Sequence, residues 1–189
     1  MVGSLTRIGE TTLPDSIVSA ANSTAPWVLA TFLMILVSGL AGRLALVLGA
    51  ASFVAMDLSF FVTFGFTGGY YPRHYLAFWL VVALIAGPLV ALMATWVRRR
   101  GIRWPVAAAS VPSVFIGEGV FVLVRLPIAG HVYPAILIVG GILILAGVLA
   151  LGRRTVRESL LTVGLTVVGT AVFSVAYNLV PLVIGKVVP

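Results

Sequence analysis

The sequence predicts an all-α polytopic membrane protein, a bundle of six transmembrane helices preceded by a short interfacial N-terminal segment. Three observations carry that expectation. Of 189 residues, 61% are hydrophobic and 9% charged, and the mean hydropathy is +1.19. A soluble domain carries about a quarter charged residues, so this composition cannot clothe a water-facing surface, and the lipid bilayer is the solvent that suits it. The apolar residues fall in six runs near the ~20 residues that a helix needs to cross a hydrocarbon core. The arginines gather between alternate runs, as topology signals do.

Taken in order, residues 1–25, "MVGSLTRIGETTLPDSIVSAANSTA", are too polar to span. They lack the apolar core and small-residue cleavage site of a signal peptide. They read as an interfacial segment broken at Pro14, with "NSTAPW" starting the next helix and Trp27 placed to anchor at the headgroups. Residues 26–189 form a single transmembrane domain with expected spans at about 27–41, 43–66, 76–97, 104–126, 132–151 and 157–180. The first two are joined by "SGLAGR", a tight hairpin for which Gly42 is the expected C-cap. Small residues recur every fourth position at Ala41, Ala45 and Gly49, and again at Ala83, Gly87 and Ala91. That spacing lets helix backbones approach closely in lipid.

Arg43 lies between spans one and two, "RRRGIR" between three and four, and "GRRTVR" between five and six. The positive-inside rule makes these three loops cytoplasmic. "TGGYYPRHY", "PIAGHVYP" and both termini of the chain as written are then extracytoplasmic, in the cell inner (plasma) membrane. The net charge of +7 is therefore a topology signal, and nucleic acid is not an expected partner. Eleven of the twelve basic residues are Arg, with Lys186 the exception, a bias that suggests a high-GC bacterial genome.

Within the oil-like run "VPSVFIGEGVFVLVRLP" stand Glu118 and Arg125. Glu118 lies fourteen residues beyond Trp104, and Asp57 fourteen beyond Arg43. At about 1.5 Å per residue both carboxyls sit roughly 21 Å from the cytoplasmic end, in the outer half of the membrane. Neither is stable facing lipid, so both should face the interior or a cavity. Arg125, two turns above Glu118, can snorkel outward or reach back to a carboxylate. Around the same outer level fall Tyr70, Arg73, His74, Tyr177 and Asn178, with Tyr71, Tyr75, His131 and Tyr133 in the flanking loops.

Three readings of this cluster stay open. Asp57 or Glu118 pairs with Arg125, or a protonated carboxyl bonds a neighbouring helix, and pins packing. Alternatively the groups line an outward-opening pocket for a small polar or cationic solute, or they relay an ion or proton. Gly117 and Gly119 expose backbone around Glu118, and Pro88 and Pro112 each free a helix carbonyl. Cysteine is absent, and the two histidines fall in predicted loops. No phosphate-binding glycine loop, nucleophile elbow or zinc helix occurs, so no cofactor or metal is expected and nothing argues for an enzyme.

The series "LTRIGETTLP", "ANSTAPW", "GYY", "FW…AGP" and "GEG" resembles a family of small multi-spanning membrane proteins from actinobacteria, catalogued as a domain of unknown function. The similarity covers residues 3 to about 125. It implies a helical integral membrane protein and brings no activity. Members of that family carry a further apolar helix ending at the equivalent of "LTRIGETTLP", whereas this chain begins with Met1 just inside it. In architecture alone, the six spans and outward polar region are similar to substrate-binding subunits of energy-coupling-factor transporters. The leading expectation is a small-solute binding or transport subunit. Its ligand would meet Glu118, Asp57 and Arg125 within a rim of Tyr70, Arg73, His74, Tyr177 and Asn178, and the Glu118→Gln substitution should abolish binding with the fold intact. The rival expectation is a structural or assembly subunit of a larger membrane complex.

Overall fold

Backbone N–H and C=O groups in lipid must be satisfied within the segment, and the apolar runs do this as helices. The computed structural model describes residues 2–14, 23–67, 73–99, 101–125, 131–152 and 155–187. Among the described residues there are seven helices: α1 (Val2–Thr12), α2 (Thr24–Ser38), α3 (Gly42–Phe66), α4 (Arg73–Val97), α5 (Trp104–Arg125), α6 (Val132–Gly152) and α7 (Val156–Val187). Five of them, α3 to α7, are long and apolar enough to cross a membrane.

The first expected span is where sequence and structure diverge. α2 has 15 residues, which at 1.5 Å each cover roughly 22 Å of a core about 30 Å thick. Gly39 ends it in the left-handed conformation (φ 70°). The C-cap is thus three residues earlier than Gly42, which itself opens α3 with φ 62°.

The expected interfacial segment contains α1, which packs along the second half of α3 in the same direction. Gly3 lies against the backbone of Met56 and Phe60, where no Cβ would fit. One turn on, Arg7 Nε donates to Thr67 Oγ1 at 3.0 Å while its guanidinium covers the Phe64 ring at 3.9 Å. Arg7 also pairs with Glu10 at 2.7 Å.

α3 and α4 meet at the small-residue stripes. Gly49 and Gly87 oppose each other backbone to backbone, and Ala45, Ala83 and Ala91 are buried beside them. Ala41 stands outside this contact, exposed at the N-cap of α3. α5 is the most buried of the long helices. It runs antiparallel to α6, with Gly119 against Pro134 and Gly141 against Pro112. It runs parallel to α7, where Ser113 meets Gly169, Gly117 meets Phe173 and Phe121 meets Tyr177. The short α2 touches α3, α4 and α5. Arg98 donates to the Leu40 carbonyl, which fixes the 39–41 and 98–103 loops at one end of the bundle. Arg43, Arg98, Arg99, Arg103 and Arg157 are exposed at that arginine-rich end.

Candidate functional site

The polar groups converge where α2 begins. Ser23 has the extended backbone of an N-cap (φ −93°, ψ 134°), yet its side chain caps nothing. The first helical N–H groups donate to a residue far along the chain instead. Thr24 N donates to Glu118 Oε1 at 3.1 Å and Ala25 N to Glu118 Oε2 at 2.8 Å. Pro26, the next position, has no N–H to satisfy. One carboxylate therefore supplies the cap that the Ser23 side chain does not, and its charge complements the partial positive charge of the helix start.

Glu118 reaches this position because its flanks carry no side chains. A Cβ on Gly117 would meet Phe173 and the Thr170 carbonyl at 3.1 Å, and one on Gly119 would meet the Pro134 carbonyl at 2.9 Å. The two glycines let α7 and α6 close in on either side, and Ser174 Oγ donates to the Gly117 carbonyl at 3.0 Å. Glu118 is only 3% exposed as a result.

Two further helices and the N-cap of α2 bring hydroxyls to the surroundings of this carboxylate. Tyr177 on α7 bonds Thr24 Oγ1 at 3.2 Å, with its ring edge-on to Phe121 and stacked on Phe173. Tyr133, at the start of α6, is 4% exposed, and Ser23 is 3% exposed. Ser23 Oγ sits beside both Glu118 and Tyr133. Ser23 lies within hydrogen-bonding reach of both, yet neither its hydroxyl nor that of Tyr133 closes a hydrogen bond of standard geometry among the described residues. Thr170 Oγ1, on the α7 face toward Gly117, is a third buried hydroxyl in that condition.

The remaining residues expected at the site are distributed otherwise. Arg125 ends α5, exposed, and the expected Glu118–Arg125 pair gives way to the backbone cap. Asp57 is half-buried on α3, whose main partners are α4, α1 and α2, and no described residue bonds it. Arg73 and His74 open α4, both exposed. Asn178 turns back on its own helix, its Nδ2 donating to the Ser174 carbonyl at 2.6 Å. Tyr70 lies outside the described residues. Of the expected set, only Glu118 and Tyr177 share a partner, Thr24.

Ser23, Thr24 and Tyr133 complete the cluster; the first two were not expected there, and Tyr133 was expected only in a flanking loop at that level. The helix-start signature of "NSTAPW" was the available signal for the first two, but nothing local names Glu118 as its partner. Tyr133 was placed in a loop, whereas it lies one residue inside α6.

Chemically the cluster combines a carboxylate whose two oxygens each accept one backbone N–H, two unpaired hydroxyls, and a Thr24–Tyr177 pair in which one hydroxyl hydrogen is surplus. A carboxylate has about four lone-pair positions, so acceptor capacity is left over. Among the described residues no group of three or more His, Cys, Asp or Glu could hold a metal ion. A separate apolar depression follows α7 at the arginine-rich end, lined by Val156, Arg157, Leu160, Leu161, Gly164 and Leu165. It shares no residue with the cluster.

A family model described as Family of unknown function (DUF6518) matches residues 1–182. The chain belongs to this family. The match takes in every residue of the cluster and exceeds the 3–125 stretch that carried the resemblance in sequence. No match was found among curated proteins or among solved structures.

Proposed function

We propose that this DUF6518 protein is a small-solute binding or transport subunit whose site is the polar cluster at the start of α2. The observation that carries this reading is a pair of buried, unpaired hydroxyls, Ser23 and Tyr133, beside a buried carboxylate. A buried hydroxyl without a partner costs stability, more so where no water can reach it. Its retention fits a site whose partner comes from outside the chain. A second feature supports the same reading. Glu118 lies seven residues, about 10 Å, below the end of α5, so α2 starts at membrane depth. Helices that start inside the membrane are tolerated where their ends are buried in protein or line a cavity, and transporters build substrate sites on such ends.

By the positive-inside rule the arginine-rich end is cytoplasmic, which puts the cluster in the extracytoplasmic half of the plasma membrane. α2 counts as a sixth, short crossing on this reading. Arg73, His74 and Arg125, exposed at the outer end, form the rim. The rival reading, a structural or assembly subunit, draws on one observation: both oxygens of Glu118 are already engaged in capping α2.

Native mass spectrometry of the protein released gently from its own membrane separates the two. A discrete small mass on a single chain, absent from a Ser23→Ala/Tyr133→Phe double variant, is the expected result. A stoichiometric protein partner with no small ligand would transfer the assignment to assembly.

A further inference from the structure

The charge balance of the cluster narrows the class of ligand, and the inference rests on the reading just given. Among the described residues Glu118 makes no ion pair, and the one salt bridge joins Arg7 to Glu10 on α1. The counter-charge the described residues give Glu118 is the start of α2, worth about half an elementary charge. Both Glu118 oxygens accept backbone N–H groups, the pattern of an ionised carboxylate, and in that form the site is net negative and draws cations. Two independent features lie against that charge. The Ser23 and Tyr133 oxygens are unpaired and more than nine-tenths buried beside Glu118, and hydroxyl oxygens accept as well as donate. The Tyr177 ring, stacked on Phe173 and edge-on to Phe121, is held at the same level by Thr24, so the cluster is walled by aromatic rings.

An ammonium head group meets all of these demands, with its N–H groups directed to Glu118, Ser23 Oγ and Tyr133 Oη and its positive charge near the rings. A bare divalent cation fits less well, because such ions are held mainly by carboxylates and other charged or carbonyl oxygens, and no group of three or more His, Cys, Asp or Glu stands together among the described residues. We propose that the cluster selects a protonated primary amine, with Glu118, Ser23 and Tyr133 as the three acceptors.

Methylammonium chloride is the simplest probe, with methanol as the neutral counterpart of similar size and sodium chloride holding ionic strength constant. Saturation-transfer NMR on the full chain in lipid nanodiscs reads the methyl signal of each. The expected result is transfer to methylammonium, none to methanol at equal concentration, and a loss of affinity of about tenfold or more in Ser23→Ala/Tyr133→Phe. Retained thermal unfolding in the same double variant shows that the loss is not misfolding. Transfer to methanol as strong as to methylammonium would overturn the amine assignment while leaving a solute site in place. Methylammonium binding unchanged in the variant would put it elsewhere on the molecule and overturn the inference. No transfer to either probe would also overturn it, and the native mass measurement would then decide the broader reading separately.

Discussion

Glu118 shows how one side chain can have a position legible in sequence and partners that are not. Its depth follows from counting residues along a helix, and its need for an interior partner follows from the cost of a charge in lipid. The partner is the backbone of Thr24 and Ala25, 94 and 93 positions away, and no periodicity encodes that meeting. The bond pattern also changes what Glu118→Gln would do. The amide nitrogen would face one of the two backbone N–H groups, donor against donor. Unfolding of Glu118→Gln in nanodiscs should therefore show a loss of about 1–3 kcal/mol, the cost of leaving a buried donor unpaired. A variant as stable as the parent would mean that the carboxylate does not cap α2. Tyr133 was harder to place. A tyrosine two residues into "HVYPAIL" reads equally as a loop or a helix start, and it is the packing of α6 against α2 and α5 that buries it.

At the scale of elements, the existence of five long apolar helices was predictable, because composition and length decide it, while α7 runs to Val187, seven residues beyond the expected end at 180. The small-residue stripes of α3 and α4 likewise found each other, with Gly49 on Gly87. The departures concern the short helices. α1 carries two charged residues, Arg7 and Glu10, which bond each other, while Arg7 reaches Thr67 at the end of α3 and Gly3 packs against Met56 and Phe60. α2 stops at Gly39 because three residues suffice to turn the chain toward α3. The orientation of these elements is directly testable, since the chain has no cysteine of its own. A cysteine replacing His131, exposed at one end, should react with a membrane-impermeant maleimide in intact cells. One replacing Arg99, exposed at the other, should react only after permeabilisation. The reverse pattern would invert the topology and move the cluster to the cytoplasmic half.

Over the whole molecule, α1, α3 and α4 pack on one side and α5, α6 and α7 on the other, with α2 reaching α3, α4 and α5 between them. The start of α2 is where the interior becomes polar, and Glu118 ties it to the second group. Whether this tie is a clamp alone or the floor of a binding site turns on the two unpaired hydroxyls. The most direct test is the unfolding free energy of ligand-free Tyr133→Phe and Ser23→Ala in nanodiscs. If the hydroxyls await a solute, replacing them with apolar atoms of the same shape leaves stability within about 0.5 kcal/mol of the parent or raises it. A loss of about 1 kcal/mol or more in either variant would show that the hydroxyl is bonded within the protein, and the cluster would then be a structural clamp with no ligand of its own.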